Sequence, residues 1–330
     1  MKAILVDETN PRPEGRVRYA DVPDPELGPR RVLIRIHAVS VNRTDLTYVA
    51  GRYGAARPLI IPGEDVAGVV EAVGSEVENV RPGDKVIALL PGGGYAQRVS
   101  AHMLSVFPKP TNLSYDEACT IPVVYLTSWI SLLRRAELKA GEVALIQAAG
   151  SGCGVAGISI AKWAGATVIT TAGTDQKVAR ARELGADHAI NYATGDFASE
   201  VIRITNGAGV DVCLESVGGD VYNNSVKVLK DGGRLVSVGR SAEQSDASPR
   251  GEADPAEVSR RALVVESFAL PTAVQTGEAR REIAVITELL EQGKLRTVVD
   301  QIYPMSRARD AMAYLDGRKN FGKVVLHPWE

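Results

Sequence analysis

Residues 124–268 alternate between short apolar runs and helix-like segments, and this alternation restricts the folds that the chain can adopt. The apolar runs include VALIQAA, TVITTA and VDVCLES, and the intervening segments include QKVARARELGA. Strands that are apolar on both faces need cover on both faces, and helical crossovers supply that cover. The pattern therefore predicts an α/β fold with a doubly wound parallel sheet between two layers of helices.

The flanking residues have a different pattern. Residues 1–123 contain short strand-like runs separated by Gly and Pro, such as RVLIRIHAVSV, and little helical periodicity. Two helix-like segments and two strands follow the alternating region. We therefore predict a discontinuous, mostly-β domain at 1–123 and 269–330, interrupted by a dinucleotide-binding domain at 124–268.

The polar segment SAEQSDASPRGEADPAEVS, at 241–259, contains very few apolar residues. This composition predicts a long exposed loop. A mobile flap over a ligand is the alternative interpretation.

Composition argues against several classes of protein. The formal net charge is −2, so no broad cationic surface favours a nucleic acid partner. The apolar run before Asp7 is too short for a signal peptide, and no later run reaches the roughly 20 apolar residues of a membrane helix. We therefore expect a cytoplasmic protein with no membrane partner. Three widely spaced cysteines, an odd number, indicate reduced thiols: Cys119, Cys153 and Cys213.

A glycine-rich turn follows the strand VALIQAA directly. It contains the spacing GxGxxG at Gly152, Gly154 and Gly157, and a helix begins there. Backbone amides at such a helix start can face a pyrophosphate, which approaches closely because the side chains are missing. Close packing of helix on strand is an alternative reason for the glycines. The strand before and the helix after favour a dinucleotide site.

The end of the next strand bears on the identity of the cofactor. TVITTA is followed by Gly173, Thr174, Asp175 and then Lys177. A small residue with a hydroxyl and a cation beyond it suits a 2′-phosphate, whereas a carboxylate at the strand tip suits a free ribose. We interpret Asp175 as a helix cap, although Lys177 could be an ordinary solvated helix charge. NADPH is therefore the predicted cofactor.

Motifs along essentially the whole chain resemble the medium-chain dehydrogenase/reductase superfamily. They are IPGEDVAGVVEAVG at 61–74, RPGDKV at 81–86, LTSWISL at 126–132, AAGSGCG at 148–154, ELGADHAINY at 183–192 and FGKVVL at 321–326. The resemblance implies a GroES-like mostly-β catalytic domain and a Rossmann domain.

The zinc alcohol dehydrogenases of this superfamily carry a catalytic Cys where this chain has Asn42. Their His-Glu pair falls where this chain has Glu64 and Asp65, and their structural cysteines are missing from 88–112. An amide and two carboxylates do not form the sulfur and nitrogen site that zinc prefers. We expect none of the four histidines to lie near a second candidate ligand: His37, His102, His188 and His327. We therefore predict no metal.

The zinc-free quinone oxidoreductases, including the zeta-crystallin-like proteins, are the most similar branch. The resemblance implies catalytic roles for Asn42, Tyr53 and Thr127, with Thr127 beside the nicotinamide. A turn position for Asn42 and a packing role for Tyr53 remain open. This chain departs from the branch at Thr47, where Tyr is frequent, and Tyr48 is adjacent.

The resemblance also implies cofactor contacts, including contacts of Lys177, Tyr192 and Arg318 with the 2′-phosphate and its ribose. A strand end for Tyr192 and a turn cation for Arg318 are the alternatives. The full set is Thr127, Gly152, Cys153, Gly154, Val155, Gly173, Thr174, Lys177, Tyr192, Ser216, Val217, Val238, Gly239, Arg240, Phe268, Leu270, Arg318 and Asn320.

A site without a metal lacks a Lewis acid for alcohol oxidation, so the acceptor must carry its own electron sink. This favours NADPH-dependent reduction of quinones or related conjugated carbonyl compounds. Reduction of an enone or enoyl double bond in a biosynthetic pathway is the alternative, and non-catalytic NADPH binding is a second alternative. The resemblance implies a homodimer, and the apolar run RALVVESFAL at 261–270 could form its edge strand.

Overall fold

The structure is a computed structural model, and it describes residues 1–7, 9–10, 13–52, 59–241, 251–270 and 278–330. The chain divides into two compact units. The first unit is Met1–Val123 with Val274–Gln292 and Thr297–Glu330, and the second is Val124–Ala273 with Gly293–Arg296.

Antiparallel strands dominate the first unit. Strands β1 (Lys2–Val6) and β2 (Val17–Asp21) form a small sheet. The larger sheet contains β3 (Arg31–Val41), β4 (Asp65–Val73), β5 (Lys85–Leu89), β6 (Arg98–His102), β7 (Val106–Pro108), β14 (Val299–Pro304) and β15 (Lys323–His327). Their order is β14-β15-β3-β4-β5-β7, and β6 also pairs with β3. Sequence patterns did not predict β2 and β7. Only Val17 of β2 is buried and β7 has three residues, so neither strand shows a repeated apolar pattern.

The alternation of β3 shows why this sheet has a core. Val32, Ile34 and Ile36 are fully buried, and they point to one face because successive side chains of a strand alternate. The same core contains Val66 and Val324 from the neighbouring strands. The apolar face of β3 therefore joins both halves of the sheet.

Five helices of the first unit lie within the described residues. They are α1 (Pro13–Arg16), α2 (Arg43–Val49), α3 (Tyr115–Ala118), α10 (Glu278–Glu291) and α11 (Ala308–Asp316). Single 3₁₀ turns cover Met103–Ser105 and Met305–Arg307. Helix α11 adds Ala308, Ala311 and Met312 to the core of the sheet.

The second unit contains a parallel six-stranded sheet, as the sequence predicted. Its strands are β8 (Val143–Ile146), β9 (Thr167–Ala172), β10 (His188–Asn191), β11 (Val210–Glu215), β12 (Leu229–Ser237) and β13 (Val264–Ser267). They lie in the order β10-β9-β8-β11-β12-β13, and every adjacent pair is parallel. The order reverses between β8 and β11, which is where ligands bind in sheets of this kind.

Helices connect these strands, apart from the first helix of this group, which precedes β8. They are α4 (Ile121–Trp129), which a π-helical turn at Ile130–Arg135 extends, α5 (Gly152–Trp163), α6 (Asp175–Leu184), α7 (Phe197–Ile204), α8 (Gly219–Lys227) and α9 (Pro255–Arg260). Within the ranges given above, no helix combines the length and the apolar character that crossing a membrane requires.

Helix α9 corrects the prediction of a loop throughout 241–259. Asp254 caps the helix by accepting a hydrogen bond from the Ala256 N–H at 2.9 Å, and Pro255 occupies the first helical position. A proline is favourable there because that N–H would have no helical partner. Because segment 241–259 has few apolar residues, its composition did not indicate this helix, although the helix begins with an ordinary N-cap residue. Residues 242–250, where the flap was considered, lie outside the described residues.

The surroundings of His327 correct the prediction that no histidine lies near a second candidate ligand. Its Nε2 lies 2.7 Å from Asp116 Oδ1, and its Nδ1 lies 3.0 Å from Glu330 Oε1. The fold brings β15 against α3, although the two are far apart in the sequence. Burial alone lowers the pKa of His327, but the two carboxylates outweigh it, and the net direction is upward.

We expect a His327→Gln variant to lose stability only where the imidazole would be charged. Because the folded-state pKa is raised, the stabilisation is complete below the unfolded pKa of about 6.5 and is lost as pH rises through the folded value. Chemical unfolding at about pH 5.5 and about pH 9 measures it, and the loss at acid pH should stay below about 1 kcal/mol for this partly exposed site. An equal loss at both pH values would contradict the role of charge. The exposed His188→Gln serves as control.

Candidate active site

All six strands of the second unit end at one edge of their sheet, because they are parallel. The residues predicted to bind the cofactor in this unit follow the strand ends, apart from Thr127. Gly152–Val155 follow β8, Gly173–Lys177 follow β9, Tyr192 follows β10, Ser216 and Val217 follow β11, Val238–Arg240 follow β12, and Phe268 and Leu270 follow β13. Residues spread over more than a hundred positions therefore lie along one edge.

The glycines of the turn after β8 have two different roles. A Cβ on Gly154 would overlap the carbonyl oxygen of Ala148 and lie 2.8 Å from the carbon of that carbonyl. A Cβ on Gly157 would lie 2.8 Å from the Leu214 side chain. Gly154 thus keeps the turn tight, whereas Gly157 lets α5 pack closely on the sheet. The packing interpretation of the glycine pattern therefore applies to Gly157, and the dinucleotide interpretation of the turn stays a prediction.

Ser151 is a residue of this turn that the sequence did not single out. It is the N-cap of α5, and its hydroxyl accepts a hydrogen bond from the Gly154 N–H at 2.9 Å. Its carbonyl accepts the Val155 N–H at 2.9 Å, and the Val155 side chain is buried. The backbone N–H groups of Gly154 and Val155, two residues predicted to contact the cofactor, therefore already donate hydrogen bonds within the turn. A serine before an apolar helix is the signal that could have identified this cap.

Thr127 lies in α4, and only 7% of its surface is exposed. The adjacent Ser128 hydroxyl donates to the Cys153 carbonyl oxygen at 3.1 Å. This contact holds the segment that contains Thr127 against the glycine turn.

The turn after β9 corrects the role predicted for Asp175. Thr174 is the N-cap of α6, and its hydroxyl accepts the Lys177 N–H at 3.3 Å. Asp175 is the first helical residue, and its Oδ1 accepts the side-chain N–H of Asn191 at 2.7 Å. Threonine caps because it is one position closer to the strand, where the backbone is extended. The carboxylate of Asp175 is therefore held by an amide at the end of β10.

Tyr192 lies over the same turn. A Cβ on Gly173 would be 2.7 Å from the Tyr192 hydroxyl oxygen, so the tyrosine ring can lie this close because residue 173 has no side chain. The Tyr192 N–H donates to the Ala172 carbonyl at 3.0 Å, and 47% of the residue is exposed. Gly173, Thr174, Lys177 and Tyr192 thus surround one exposed corner of the sheet edge.

Glu215 is a buried carboxylate that the sequence analysis missed. Its Oε1 accepts the N–H groups of Val217 at 2.5 Å and Gly218 at 2.8 Å, and its Oε2 lies 3.3 Å from the Ser237 hydroxyl. These contacts shape the loop that contains Ser216 and Val217. An acidic residue at the end of the apolar strand VDVCLES was the available signal.

The remaining strand ends carry buried or backbone contacts. Val238 donates its N–H to the Glu215 carbonyl at 2.8 Å, and Phe268 donates its N–H to the Ser237 carbonyl at 2.9 Å. Phe268 is buried. The backbone N–H groups of Val238 and Phe268 are thus used within the fold, and their predicted contacts with the cofactor stay predictions.

The first unit contains a buried polar cluster around Asn42. Its side-chain nitrogen donates to Asp65 Oδ1 at 2.8 Å, and its oxygen accepts from Lys323 Nζ at 2.5 Å. The Ser40 hydroxyl also donates to Asp65 Oδ1. Asn42 is 6% exposed, Lys323 5% and Asp65 not at all. Lys323 was missed by the sequence analysis, although a lysine inside the apolar run FGKVVL was a signal.

A second carboxylate fixes the backbone on the other side of Asn42. Asp45 accepts the Asn42 N–H at 2.7 Å, the Gly63 N–H at 3.0 Å and the Tyr95 hydroxyl at 2.8 Å. Burial nevertheless raises the pKa of Asp45 to about 6. Burial, with Asp45 and Asp65 nearby, raises the pKa of Glu64 to about 8. Glu64 therefore holds a proton at neutral pH, which reduces the negative charge of the cluster.

The residues where the zinc enzymes carry ligands are thus engaged with one another. Asn42 and Asp65 share a hydrogen bond, and the Lys323 ammonium lies 4.0 Å from the other Asp65 oxygen. A cation beside a lysine ammonium is repelled, and the donor set lacks sulfur and nitrogen. Across the described ranges, no group of three or more His, Cys, Asp or Glu residues is arranged to hold a metal ion.

The other residues of the first unit that the sequence analysis named have contacts of their own or cannot be placed. Tyr53 lies outside the described residues. The Thr47 hydroxyl donates to the Arg43 carbonyl at 3.2 Å. Arg318 is exposed after α11, and Asn320 is buried and donates to the Gly322 carbonyl at 2.8 Å. Asn320 thus has a local structural contact whatever else it binds.

Two families match parts of the chain. Residues 28–111 match the alcohol dehydrogenase GroES-like domain, and residues 184–326 match a family described as zinc-binding dehydrogenase. The second description names the family and gives no evidence of zinc in this chain. The matches, with the parallel sheet, confirm the predicted α/β fold of a GroES-like and a Rossmann-like unit.

Two curated relatives differ greatly in length. The chain is 31% identical over 318 residues to the quinone oxidoreductase of Sus scrofa, covering 95% of this chain and 94% of that protein. It is 34% identical over 299 residues to a phenolphthiocerol/phthiocerol polyketide synthase of Mycobacterium tuberculosis. The match covers 90% of this chain and only 13% of that synthase.

Solved structures match nearly the whole chain. An NAD-dependent alcohol dehydrogenase is 33% identical with a TM-score of 0.87, and each chain is covered to 99%. The Escherichia coli quinone oxidoreductase in complex with NADPH is 26% identical with a TM-score of 0.90, covering 99% of this chain and 100% of that one. The CurK enoyl reductase is 29% identical with a TM-score of 0.88, and each chain is covered to 99%.

We expect Gly154→Ala to displace the turn after β8 and to weaken nucleotide binding at least about 10-fold, because the added methyl meets backbone rather than a flexible side chain. Fluorescence titration with NADPH and NADH measures the binding, and thermal unfolding reports any general loss of stability. Gly195→Ala is the matched control, since a Cβ there meets nothing within 4 Å. Unchanged affinity in Gly154→Ala would show that the turn does not hold the nucleotide.

Proposed function

Because the chain belongs to the quinone oxidoreductase branch of the medium-chain dehydrogenase/reductase superfamily, we propose that it uses NADPH to reduce quinones or related conjugated carbonyl compounds without zinc. The membership makes the protein an oxidoreductase enzyme with a nicotinamide cofactor. This excludes the second alternative, non-catalytic binding. We further infer the preference for NADPH, the acceptor class and the independence from zinc.

The contact between Lys323 and Asn42 is the observation that carries the proposal. A buried ammonium lies 2.5 Å from the amide oxygen of the residue that replaces the catalytic cysteine of the zinc enzymes. Its charge disfavours a second cation at this position. Without a Lewis acid, an alkoxide has little stabilisation, whereas hydride addition to a conjugated carbonyl produces a delocalised oxyanion. This difference in oxyanion stability favours a conjugated carbonyl compound as the acceptor.

The corner formed by Gly173, Thr174, Lys177 and Tyr192 supports NADPH. The Lys177 ammonium and the two hydroxyls are groups that a 2′-phosphate accepts hydrogen bonds from. Asp175 argued against NADPH in the sequence. Its carboxylate is instead hydrogen-bonded to Asn191 at 2.7 Å, which reduces its repulsion of a phosphate.

A bound NADPH supplies hydride from its nicotinamide ring. We assign to Asn42 a hydrogen bond to the oxygen of the acceptor as negative charge develops there, because one N–H of its amide is used by Asp65 and an amide has two. The proton that completes the reduction comes from solvent or Tyr53. Thr127 positions the nicotinamide from α4.

An enone or enoyl reductase is the second candidate. The polyketide synthase relative and the CurK enoyl reductase structure support it. The same oxyanion stabilisation would serve a thioester or ketone whose double bond receives the hydride. The two candidates differ in the acceptor, and the cofactor chemistry is shared.

The cytoplasmic location and the homodimer belong to the proposal as well. Strand β13 occupies one end of the six-stranded sheet, and Val264 on it is 44% exposed. An edge strand with exposed apolar residues suits pairing with the same strand of a second copy.

We expect Lys177→Ala to weaken NADPH binding about 10-fold and to change NADH binding less than about 2-fold, because a charge-assisted hydrogen bond to the 2′-phosphate is lost. Titration calorimetry of both nucleotides at two salt concentrations measures it. Lys227→Ala is the matched control, because Lys227 ends α8 at the opposite edge of the sheet. Equal losses for both nucleotides would contradict the assignment of the 2′-phosphate.

We expect protein treated with a chelator to oxidise NADPH with quinones under anaerobic conditions. We also expect the Asn42→Ala substitution to lower kcat about 100-fold, because a hydrogen bond to the developing oxyanion is lost. Loss of nicotinamide absorbance is measured against paired quinones and enones, with NADH as control. Turnover with enones alone would favour the enoyl reductase. Loss of activity on chelation, restored by zinc, would refute the metal-free mechanism.

A further inference from the structure

Lys323 is buried at the first position of β15, where a lysine has no obvious structural purpose. Its ammonium donates to Asn42 Oδ1 at 2.5 Å and lies 4.0 Å from Asp65 Oδ2. Among the described residues, Asp65 Oδ2 has no hydrogen-bond partner. Moving an ammonium out of water is costly, so a lysine persists there only when its contacts compensate.

The two charged neighbours fix the orientation of the Asn42 amide. An ammonium only donates hydrogen bonds, so the amide oxygen must face Lys323. Asp65 Oδ1 accepts from both Ser40 and Asn42, so the amide nitrogen must face Asp65. A rotated amide would direct N–H groups at an ammonium and an oxygen at a carboxylate. Burial raises the pKa of Asp65, but a proton on the other oxygen would leave Oδ1 as the acceptor.

The ammonium also changes the strength of the amide as a donor. A cation on the carbonyl oxygen polarises the amide, and its N–H groups then donate more strongly in a buried site. The contact with Asp65 uses one N–H. The second N–H therefore has both a fixed direction and an increased acidity.

We propose that Lys323 is the positioning residue of the active site: it acts on the acceptor through Asn42, by orienting and polarising that amide. The inference rests on the proposed reductase function, in which Asn42 donates to the developing oxyanion. It assigns to a protein ammonium part of the electrostatic role that a metal ion has in the zinc enzymes of the superfamily, without contact between Lys323 and the acceptor.

A double-mutant cycle in kcat tests this inference. Lys323→Met should lower kcat about 10-fold with a smaller change in KM, because an aligned donor is disturbed rather than removed. In an Asn42→Ala background the same substitution should change kcat less than about 2-fold. Lys323→Arg should recover part of the rate, and the exposed Lys319→Met should have no effect. Thermal unfolding measures stability in parallel.

The outcomes separate a positioning role from a structural one. A purely structural lysine would lower stability and lower kcat by the same factor with and without Asn42, and that result would overturn the inference. An unchanged kcat in Lys323→Met would also overturn it. If Lys323→Met fails to fold, Asp65→Asn replaces the carboxylate that faces the amide nitrogen with a neutral amide and so weakens the other constraint. It should likewise lower kcat only when Asn42 is present.

A measurement without turnover keeps this inference distinct from the proposed function. Protein whose asparagines carry a nitrogen-15 label in the side-chain amide gives side-chain resonances, and Asn42→Ala identifies the pair from Asn42. That pair should be single and protected from exchange in the wild type, and should shift and exchange faster in Lys323→Met. Unaltered resonances would refute the inference. Wild-type protein that reduces no acceptor would refute the proposed function and leave this test intact.

Discussion

The parallel direction of six strands is the constraint on which the second unit depends. Parallel strands need long connections, and each connection here leaves the sheet at the same edge. The turns after β8, β9 and β11 must therefore lie side by side, whatever their sequences. The reversal of strand order between β8 and β11 opens a crevice there. Small residues such as Gly154 and Gly173 then decide how closely another group approaches the backbone.

The first unit depends on a different balance, between buried charges. Asp45, Asp65 and Glu64 lie close together, and burial raises the pKa of each. A single ammonium, Lys323, lowers the cost for the two nearest carboxylates. Removing one member of such a cluster leaves the others without compensation. Burying these charged groups lowers the stability of the fold, which is typical of a functional site.

Strand positions were the part of the fold that the sequence predicted best. The bounds of β3 and β9 match their apolar runs. A strand buried on one face has alternating apolar residues and a strand buried on both faces has a continuous apolar run, so both kinds can be recognised in a sequence. The ends of helices were less accurate. Thr174 rather than Asp175 caps α6, and α9 occupies residues assigned to a loop. Caps depend on backbone geometry within one or two positions, which side-chain pattern does not resolve.

Candidate residues near strand ends could also be found from the sequence, since chain order determines which turns share an edge. Contacts between distant segments could not. Lys323 and Asn42 are 281 positions apart, and His327 meets Asp116 across 211. No local sequence pattern links such pairs, because their proximity depends on the conformation of the whole chain between them.

The sequence by itself determined that this protein has a parallel sheet with a glycine turn and a discontinuous mostly-β unit, because these properties follow from residue type and spacing along the chain. The resemblance to the superfamily added that no sulfur or nitrogen ligands stand at the position of the zinc site. Only the tertiary structure decided that Asn191 holds Asp175, that Glu215 is buried beneath its loop, and that an ammonium fixes the Asn42 amide. Hydrogen bonds and buried charges depend on distances in space, which the order of residues leaves undetermined until the chain has folded.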